Sequence, residues 1–257
     1  MIVATWNVNS LRARLPRVEQ WLNEHEVDVL LLQETKATDE QFPFAQLGAL
    51  GYECAHFGQV QWNGVAILSR IGLTDVTRGF GEPDEEARII SATCGPLRVH
   101  SCYVPNGRAL EDPHYAYKLR WLANLAATLA ARPLDQRVVV GGDFNVAPTD
   151  LDCYDPSAFV GATHVSEQER QALADVLATG LVDVTRKLNP QEPCYSWWDY
   201  RNGAFRRAWG LRIDLLLCDE VTTGAATASY VDREARKGEK PSDHAPVLVK
   251  IDLPPSA

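Results

Sequence analysis

R-V-V-V-G-G-D-F-N, residues 137–145, is the stretch that most constrains the fold. Its β-branched run predicts a buried strand over 137–141. The two glycines allow the backbone to approach another group closely, and alternate residues of an extended segment face the same side. Asp143 and Asn145 are therefore expected side by side at the strand end. The alternative is an Asx-turn that only ends the strand.

Three other predicted strands also deliver polar groups at their ends. The apolar segments 2–5, 27–33 and 97–103 lead into Asn7, Glu34 and the sequence Tyr103-Val104-Pro105-Asn106. Side chains at the ends of neighbouring rigid strands lie close together at one edge of the sheet, and such strands hold the groups of a site in precise positions. Glu34, taken alone, is equally compatible with a strand end that reaches solvent.

A carboxylate and a histidine in the C-terminal part of the chain extend this set. Asp214 lies in the apolar run 213–218, and a buried carboxylate must be paired or hydrogen-bonded. His244 follows Asp243 just before the predicted strand 247–251. Asp214 is a candidate partner that orients His244, with a structural ion pair as the alternative.

The residue types favour metal-assisted phosphodiester hydrolysis. Carboxylate and amide oxygens are hard ligands that favour Mg²⁺ over softer metals. A histidine and an asparagine can hold phosphate oxygens as negative charge develops on them. The G-x-S-x-G and P-loop patterns of other hydrolases are absent from the sequence.

The order of elements predicts an α/β fold in which sheets pack on each other with helices outside. Two further strands are expected at 65–69 and 89–93, and helices at 15–25, 115–131 and 166–179. The last helix opens with a capping-box pattern, Ser166-Glu167-Gln168-Glu169. No linker interrupts the chain, so we expect one domain over residues 1–257.

Composition is that of a globular protein of the cytoplasm. The chain has 257 residues, of which 46% are hydrophobic and 23% charged. We find no signal-peptide pattern and no apolar run long enough to span a bilayer, so no membrane partner is expected. The six cysteines form no C-x-x-C pair, which indicates reduced thiols and gives a zinc site little support.

The formal net charge of −9 argues mildly against a nucleic-acid partner. The argument is limited, because net charge is a sum and a binding face is local. Acidic metal ligands also lower the sum without repelling phosphate once a metal is bound.

Seven motifs carry a resemblance that covers nearly the whole chain. In order, they are W-N-V-N-S-L-R-A-R from Trp6, L-Q-E-T-K from Leu32, Y-V-P-N-G from Tyr103, G-D-F-N-V-A-P-T-D from Gly142, W-W-D-Y-R from Trp197, G-L-R-I-D from Gly210 and P-S-D-H-A-P from Pro241. Together they resemble bacterial exonuclease III, within the endonuclease/exonuclease/phosphatase superfamily. The resemblance implies a four-layer α/β sandwich, with two mixed sheets face to face and helices on both outer faces.

The resemblance also implies roles for the polar residues. Metal ligands would come from five residues, with Glu34 the principal one: Asn7, Glu34, Asp143, Asn145 and Asp243. Asp143 would also align or activate the attacking water, and Asn145 would hold the phosphate. Asp214 would pair with His244 at the scissile phosphate. Tyr103 would contact the phosphate as a phenolate or as a proton donor.

For DNA binding the resemblance implies a surface that combines basic and aromatic residues. Its candidate members are Arg12, Lys118, Trp197, Arg201, Trp209 and Leu211. Aromatic rings interleaved with arginines suit stacking on an unpaired base or sugar. The alternative is that Trp197 or Trp198 belongs to the core.

The resulting hypothesis is a monomeric Mg²⁺-dependent DNA-repair nuclease, with Mn²⁺ able to substitute. It would act on duplex DNA 5′ to abasic sites, as a 3′→5′ exonuclease and on 3′ blocking groups. Two alternatives stay open: a related phosphoesterase with another substrate, and a catalytically silent DNA-binding module. Ser10 and the segments 149–167 and 201–209 depart from the best-known family pattern, which we expect to alter substrate preference.

Overall fold

The computed structural model describes residues 1–81 and 86–253. Within them, twelve strands form two six-stranded sheets. The strands are β1 (Ile2–Asn7), β2 (Val29–Gln33), β3 (Glu53–Phe57), β4 (Val65–Ser69), β5 (Thr74–Arg78), β6 (Ile89–Cys94), β7 (Leu97–Tyr103), β8 (Val138–Asp143), β9 (Leu181–Asp183), β10 (Asp214–Asp219), β11 (Ala226–Val231) and β12 (Val247–Ile251).

Seven α-helices accompany the sheets in the described part of the chain. They are α1 (Leu11–His25), α2 (Phe44–Ala49), α3 (Pro113–Ala130), α4 (Glu167–Leu177), α5 (Val184–Leu188), α6 (Ala204–Arg207) and α7 (Glu220–Gly224). Asp112 caps α3 by accepting a hydrogen bond from the His114 amide, with Pro113 at the first helical position. Ser166 and Glu169 form the predicted capping box at the start of α4.

Each sheet has one parallel pair of strands near its centre. The strand order is β11-β12-β1-β2-β4-β3 in the first sheet and β5-β6-β7-β8-β10-β9 in the second. β1 and β2 run parallel, as do β7 and β8, and the other neighbours are antiparallel. Since the carboxyl ends of parallel strands meet at the same sheet edge, each pair brings two strand ends together.

Three apolar layers hold the fold together and confirm the predicted four-layer sandwich. The central layer lies between the sheets and includes Val3, Leu31, Val99 and Leu216. A second layer packs the first sheet against α1 and α2, and a third packs the second sheet against α3 and α4. The strands β2, β4, β8 and β10 are buried along their whole length, which explains their near-continuous apolar sequences.

The glycine pair before Asp143 reflects close packing, as its position in the sequence predicted. A Cβ on Gly142 would lie 1.9 Å from the carbonyl oxygen of Cys102 on the neighbouring β7. A Cβ on Gly141 would lie 2.6 Å from Leu31 Cδ1, which comes from the opposite sheet. The two glycines therefore let β8 pack close to both neighbours, which sets the position of Asp143 between the sheets.

The predicted elements are present, with ends shifted by a few residues at most of them. The strands at 65–69, 97–103 and 247–251 have the predicted bounds. Four strands were not predicted: β3, β5, β9 and β11. β5 is fully exposed and β9 has three residues, so neither has the apolar pattern of a buried strand.

Candidate active site

The ends of the two parallel pairs bring Asn7, Glu34, Tyr103 and Asp143 to one edge of the sandwich. The Asn7 amide joins two of them, because its Nδ2 donates to Glu34 Oε1 at 2.9 Å and to Asp143 Oδ2 at 2.9 Å. Glu34 follows β2 with a left-handed φ of 51°, which is uncommon for a residue with a side chain. Such strained residues cluster at functional sites.

Asp143 is the centre of the cluster. Its Oδ1 accepts a hydrogen bond from the backbone amide of Asn145 at 2.9 Å. Its Oδ2 faces Asn7 and also lies 3.7 Å from Nε2 of His244. Burial raises the pKa of Asp143 to about 7, although the nearby His244 opposes this shift.

His244 is held by a buried carboxylate, as predicted. Its Nδ1 lies 2.8 Å from Asp214 Oδ2, and the Ser196 hydroxyl donates to the same oxygen at 2.6 Å. Burial alone would lower the pKa of His244, but the Asp214 and Asp143 carboxylates outweigh it and raise the pKa to about 10. The ring is therefore an imidazolium at neutral pH, with Nε2–H directed toward Asp143.

Asn145 is also in the left-handed region, with φ of 53°. Its Nδ2 donates to the carbonyl of Val104 at 2.9 Å, and its Oδ1 accepts from Asn106 Nδ2 at 3.1 Å. Two hydrogen bonds thus fix the side-chain amide. One N–H of its NH2 group remains for a ligand.

Tyr103 ends β7 beside the same carboxylates. Burial raises the pKa of its phenol well above the usual value, and the charges of Glu34 and Asp143 raise it further. The guanidinium of Arg88 lies 4.8 Å from the ring centroid and opposes this effect. The phenol therefore keeps its proton in this environment.

Lys36 and Asn9 belong to the site, although sequence reasoning did not single them out. Lys36 Nζ lies 2.8 Å from Glu34 Oε2 and donates to Asn9 Oδ1 at 2.6 Å. Asn9 Nδ2 in turn donates to Asp243 Oδ1 at 2.9 Å. Trp197 Nε1 donates to the other oxygen of Asp243 at 3.1 Å. Asn9 and Lys36 lie inside the motifs W-N-V-N-S-L-R-A-R and L-Q-E-T-K, and this position was the signal in the sequence that could have identified them.

Glu34, Asp143 and His244 place ligand atoms within 4.8 Å of one another. Two of these atoms are carboxylate oxygens, the ligand type that Mg²⁺ prefers. The imidazolium of His244 is unsuited to coordination, because a metal ligand must be deprotonated. The residues present thus fit a divalent cation held by the two carboxylates, with a fixed positive charge beside it.

The other three predicted ligands, Asn7, Asn145 and Asp243, make contacts with protein groups, and their role as ligands stays a prediction. The Oδ1 atom of Asn7 accepts a hydrogen bond from the Asn9 amide at 3.0 Å, and its NH2 group faces the two carboxylates. In this orientation Asn7 holds Glu34 and Asp143 in place and directs no oxygen toward a cation between them. Asp243 lies outside the cluster formed by Glu34, Asp143 and His244 and accepts hydrogen bonds from Asn9 and Trp197. Asn145 uses its Oδ1 for Asn106.

Two predicted DNA contacts are wrong. The Lys118 side chain is fully buried and pairs with Glu169, because it faces the interior side of α3 and has no access to solvent. Leu211 is also fully buried, in a small apolar cluster with Cys153 and Ile213. Apolar spacing along α3 and the position of Leu211 before a buried strand could have indicated both.

The remaining predicted DNA contacts lie on the surface. Arg12 and Arg201 are exposed, and Trp209 is 37% exposed and stacks on Tyr154 with ring centroids 5.7 Å apart. Trp197 is half-buried, and Trp198, at 2% exposure, is the core member of that pair. A cleft of about 490 Å³ lies at this surface, and its lining includes Tyr154, Phe159, His164, Trp197, Arg201 and Trp209.

Most of the chain matches a known family. The endonuclease/exonuclease/phosphatase family profile matches residues 4–244. The chain belongs to this family. Within the endonuclease/exonuclease/phosphatase family, exodeoxyribonuclease III of Haemophilus influenzae is 33% identical over 262 residues, covering 96% of this chain and 98% of that protein. The exodeoxyribonuclease of Bacillus subtilis is 33% identical, covering 98% of this chain and 100% of that protein.

Solved structures of family members superpose closely on this fold. A 3′ phosphatase from Neisseria bound to a product DNA hairpin has a TM-score of 0.96 and 41% identity, and 98% of this chain and 100% of that chain are covered. An AP endonuclease from Archaeoglobus fulgidus has a TM-score of 0.96 and 38% identity, with the same coverage. The predicted resemblance to exonuclease III is confirmed, and the chain is a hydrolase of that type. In the described residues no helix is long and apolar enough to cross a bilayer.

Proposed function

We propose that this protein is a monomeric, cytoplasmic, Mg²⁺-dependent DNA-repair nuclease. It would hydrolyse phosphodiesters 5′ to abasic sites and at 3′ ends, and Mn²⁺ would replace Mg²⁺. The observation that carries this proposal is the position of Asp143 between two charged groups. Its carboxylate is joined to Glu34 through Asn7 and lies 3.7 Å from the imidazolium of His244.

Glu34 and Asp143 would hold the cation, which would neutralise the phosphate and stabilise the leaving oxygen when bound. Asp143 would also align the attacking water and accept its proton.

His244 and Asn145 would hold the non-bridging phosphate oxygens. The buried Asp214 and Ser196 fix the direction of the His244 ring, so its positive charge needs no rearrangement during the reaction. The Asn145 amide is fixed by Val104 and Asn106 and would donate its remaining N–H. Tyr103, as a protonated phenol, would donate a hydrogen bond to the phosphate and would not act as a phenolate.

Duplex DNA is the proposed substrate because of the relatives and the surface beside the site. Relatives are named exodeoxyribonucleases, a 3′ phosphatase bound to a DNA hairpin and an AP endonuclease. The cleft beside the site carries Trp197, Arg201 and Trp209, a combination suited to stacking and phosphate contact.

The proposal is tested with three labelled duplexes in parallel: one with an internal abasic-site analogue, one with a 3′-phosphate at a nick and one with a blunt end. We expect Mg²⁺-dependent products from each, none with chelator, and a strongly reduced yield from the Asp143→Asn variant. Turnover of a small phosphoester without cleavage of any duplex would show that the substrate is not DNA. DNA binding without turnover in any divalent metal would favour a silent binding module.

A further inference from the structure

Lys118 lies beneath the active site, on the buried face of α3. Its Nζ donates to the backbone carbonyl of Asn145 at 2.7 Å. The same ammonium group forms an ion pair with Glu169 of α4, and both side chains are fully buried. A buried lysine is uncommon and is retained only with partners, so its partners indicate its role.

Glu169 is the anion that keeps this ammonium charged. Besides Lys118, its Oε1 accepts from Thr163 Oγ1 at 2.6 Å and from the His164 amide at 2.9 Å. Its Oε2 accepts from the Ser166 hydroxyl at 2.6 Å. The carboxylate thus has partners on both oxygens, and it fixes the position of Lys118 Nζ between α3, α4 and the loop after β8.

The carbonyl of Asn145 depends on this arrangement. Asn145 has φ of 53°, in the left-handed region that asparagine adopts more readily than most L residues. Its carbonyl accepts from Lys118 Nζ and from His164 Nδ1, the latter at 2.6 Å. These two donors, together with the bond from the Asn145 amide to Asp143, fix the backbone of Asn145 on both sides.

The side chain of Asn145 is tied to the same ammonium by a second route. Asn106 Nδ2 donates to Asn145 Oδ1. The carbonyl of Asn106 accepts from Lys118 Nζ at 3.4 Å. The Thr163 hydroxyl, whose single proton is donated to Glu169, lies 3.0 Å from the same carbonyl. One ammonium group therefore restrains the backbone of Asn145 directly and its amide plane through Asn106.

Stability alone does not account for a charged pair at this place. Replacing a buried ion pair by apolar residues of similar volume is often neutral or stabilising. An apolar pair, however, could not donate to two backbone carbonyls. The hydrogen bonds from Lys118 to the carbonyls of Asn145 and Asn106 thus account for the charged pair at this position.

We propose that Lys118, held by Glu169, is a positioning residue that sets the orientation of the Asn145 amide toward the phosphate. This inference rests on the proposed function, in which Asn145 holds a non-bridging oxygen. It predicts an effect on the rate of cleavage and a small effect on DNA affinity, because Lys118 has no path to the substrate.

The test uses the double variant Lys118→Met with Glu169→Gln in the full-length enzyme. It removes both charges together, and Gln keeps an acceptor oxygen for Thr163 and His164. We expect kcat on the 3′-end duplex to fall roughly 10–100-fold, as for groups that support a catalytic residue, with KM changed less than threefold. The matched control is Leu125→Ala, also buried on α3 but apolar, which should lower the melting temperature and leave kcat unchanged.

A double-mutant cycle separates positioning from general damage. In an Asn145→Ala background, single-turnover rates should be the same with and without the Lys118/Glu169 changes, because the residue they position is gone. Additive losses would overturn the proposal, as would an unchanged kcat in the double variant. Absence of cleavage by the unsubstituted enzyme would instead refute the proposed function.

Thr163→Val provides a milder second variant if the double variant does not fold. It removes only the hydroxyl that bridges Glu169 and the carbonyl of Asn106 and keeps the side-chain volume. A fall in kcat of about threefold or more, absent from the Asn145→Ala background, would support the positioning role. Equal kcat for Thr163→Val and the unsubstituted enzyme would contradict it.

Discussion

His244 Nδ1 lies 2.8 Å from Asp214 Oδ2, and both side chains are buried. The carboxylate raises the histidine pKa and directs the ring, and Ser196 holds the carboxylate in turn. His244 therefore supplies the positive charge, whereas Asp214 and Ser196 orient the ring that carries it. Substitutions of these three residues should lower the rate by different amounts.

A graded series should follow from this chain of contacts. His244→Ala removes the positive charge and should lower kcat by about 10²–10³. Asp214→Asn leaves the ring but weakens its charge and orientation, for a loss of about 10–100-fold. Ser196→Ala removes one hydrogen bond to the carboxylate and should cost about tenfold. Steady-state kinetics on one duplex checks the order; a larger effect for Ser196→Ala than for His244→Ala would contradict it.

Asp143→Asn should separate catalysis from binding. The substitution keeps the shape of the side chain but removes the group that accepts the proton of water, so kcat should fall by about 10²–10⁴. Fluorescence anisotropy with a labelled duplex should give a Kd within a few fold of the unsubstituted enzyme. A loss of affinity as large as the loss of rate would show that Asp143 mainly binds substrate.

Mg²⁺ should stabilise the fold through Glu34 and Asp143. A ligand that binds only the folded state at 100 times its Kd adds about 2.7 kcal/mol to the free energy of unfolding. Titration of Mg²⁺ should therefore raise the melting temperature, and Glu34→Gln should abolish the rise. Glu24→Gln, on the exposed side of α1, is the control that should keep it. Equal shifts in both variants would place the cation elsewhere.

His100 should make the fold sensitive to acid. Burial lowers its pKa to about 3, with Arg98 and Arg132 adding to the shift, against an ordinary value of 6.5. Between these values the unfolded state binds more protons, so the contribution of His100 is complete above pH 6.5 and is lost as the pH falls toward 3. The slope amounts to about 1.4 kcal/mol per pH unit.

His100→Asn should remove this slope while keeping a polar atom near Ser91, the present partner of His100 Nδ1 at 2.7 Å. Urea unfolding between pH 4.5 and 6.5 measures it. Leu125→Ala should lower stability at every pH without changing the slope. The same pH dependence in His100→Asn and the unsubstituted protein would mean that other groups determine the acid response.

Trp209→Ala should alter substrate preference more than rate. Trp209 stacks on Tyr154 and carries the Arg207 guanidinium 4.5 Å from its ring centroid, so it presents a supported aromatic surface. Stacking on a base is worth about 1–3 kcal/mol by alanine substitution. Relative cleavage of abasic and 3′-end duplexes should shift, whereas Tyr230→Ala, equally exposed on β11, should leave the ratio unchanged. No shift in Trp209→Ala would exclude this face from DNA binding.

The buried strands and the long helices could be predicted because their sequences carry the periodicity of burial. Val65–Ser69 and Leu97–Tyr103 have continuous apolar runs or motif ends that fix their bounds. β5 could not be predicted in this way because all of its residues are exposed, and β11 could not because Ser229 is its only buried residue.

The sequence predicted which residues lie together in the site, but it did not predict how their side-chain atoms are oriented toward one another. Glu34, Asp143, Asp214 and His244 converge as the strand ends indicated. The orientation of the Asn7 amide depends on a backbone N–H two residues away, and no residue pattern encodes it. Lys118 was assigned to the DNA-binding surface, although the apolar spacing along α3 places it on the buried face of that helix.

The site is closed by two hydrogen bonds that join the beginning of the chain to its far end. Trp6 Nε1 donates to the carbonyl of His244, 238 residues later, and Ser242 Oγ donates to the carbonyl of Asn7, 235 residues earlier. A chain emerging from the ribosome therefore cannot assemble this site until His244 has been synthesised. Fragments that end before Ser242 would lack both hydrogen bonds and the histidine of the site.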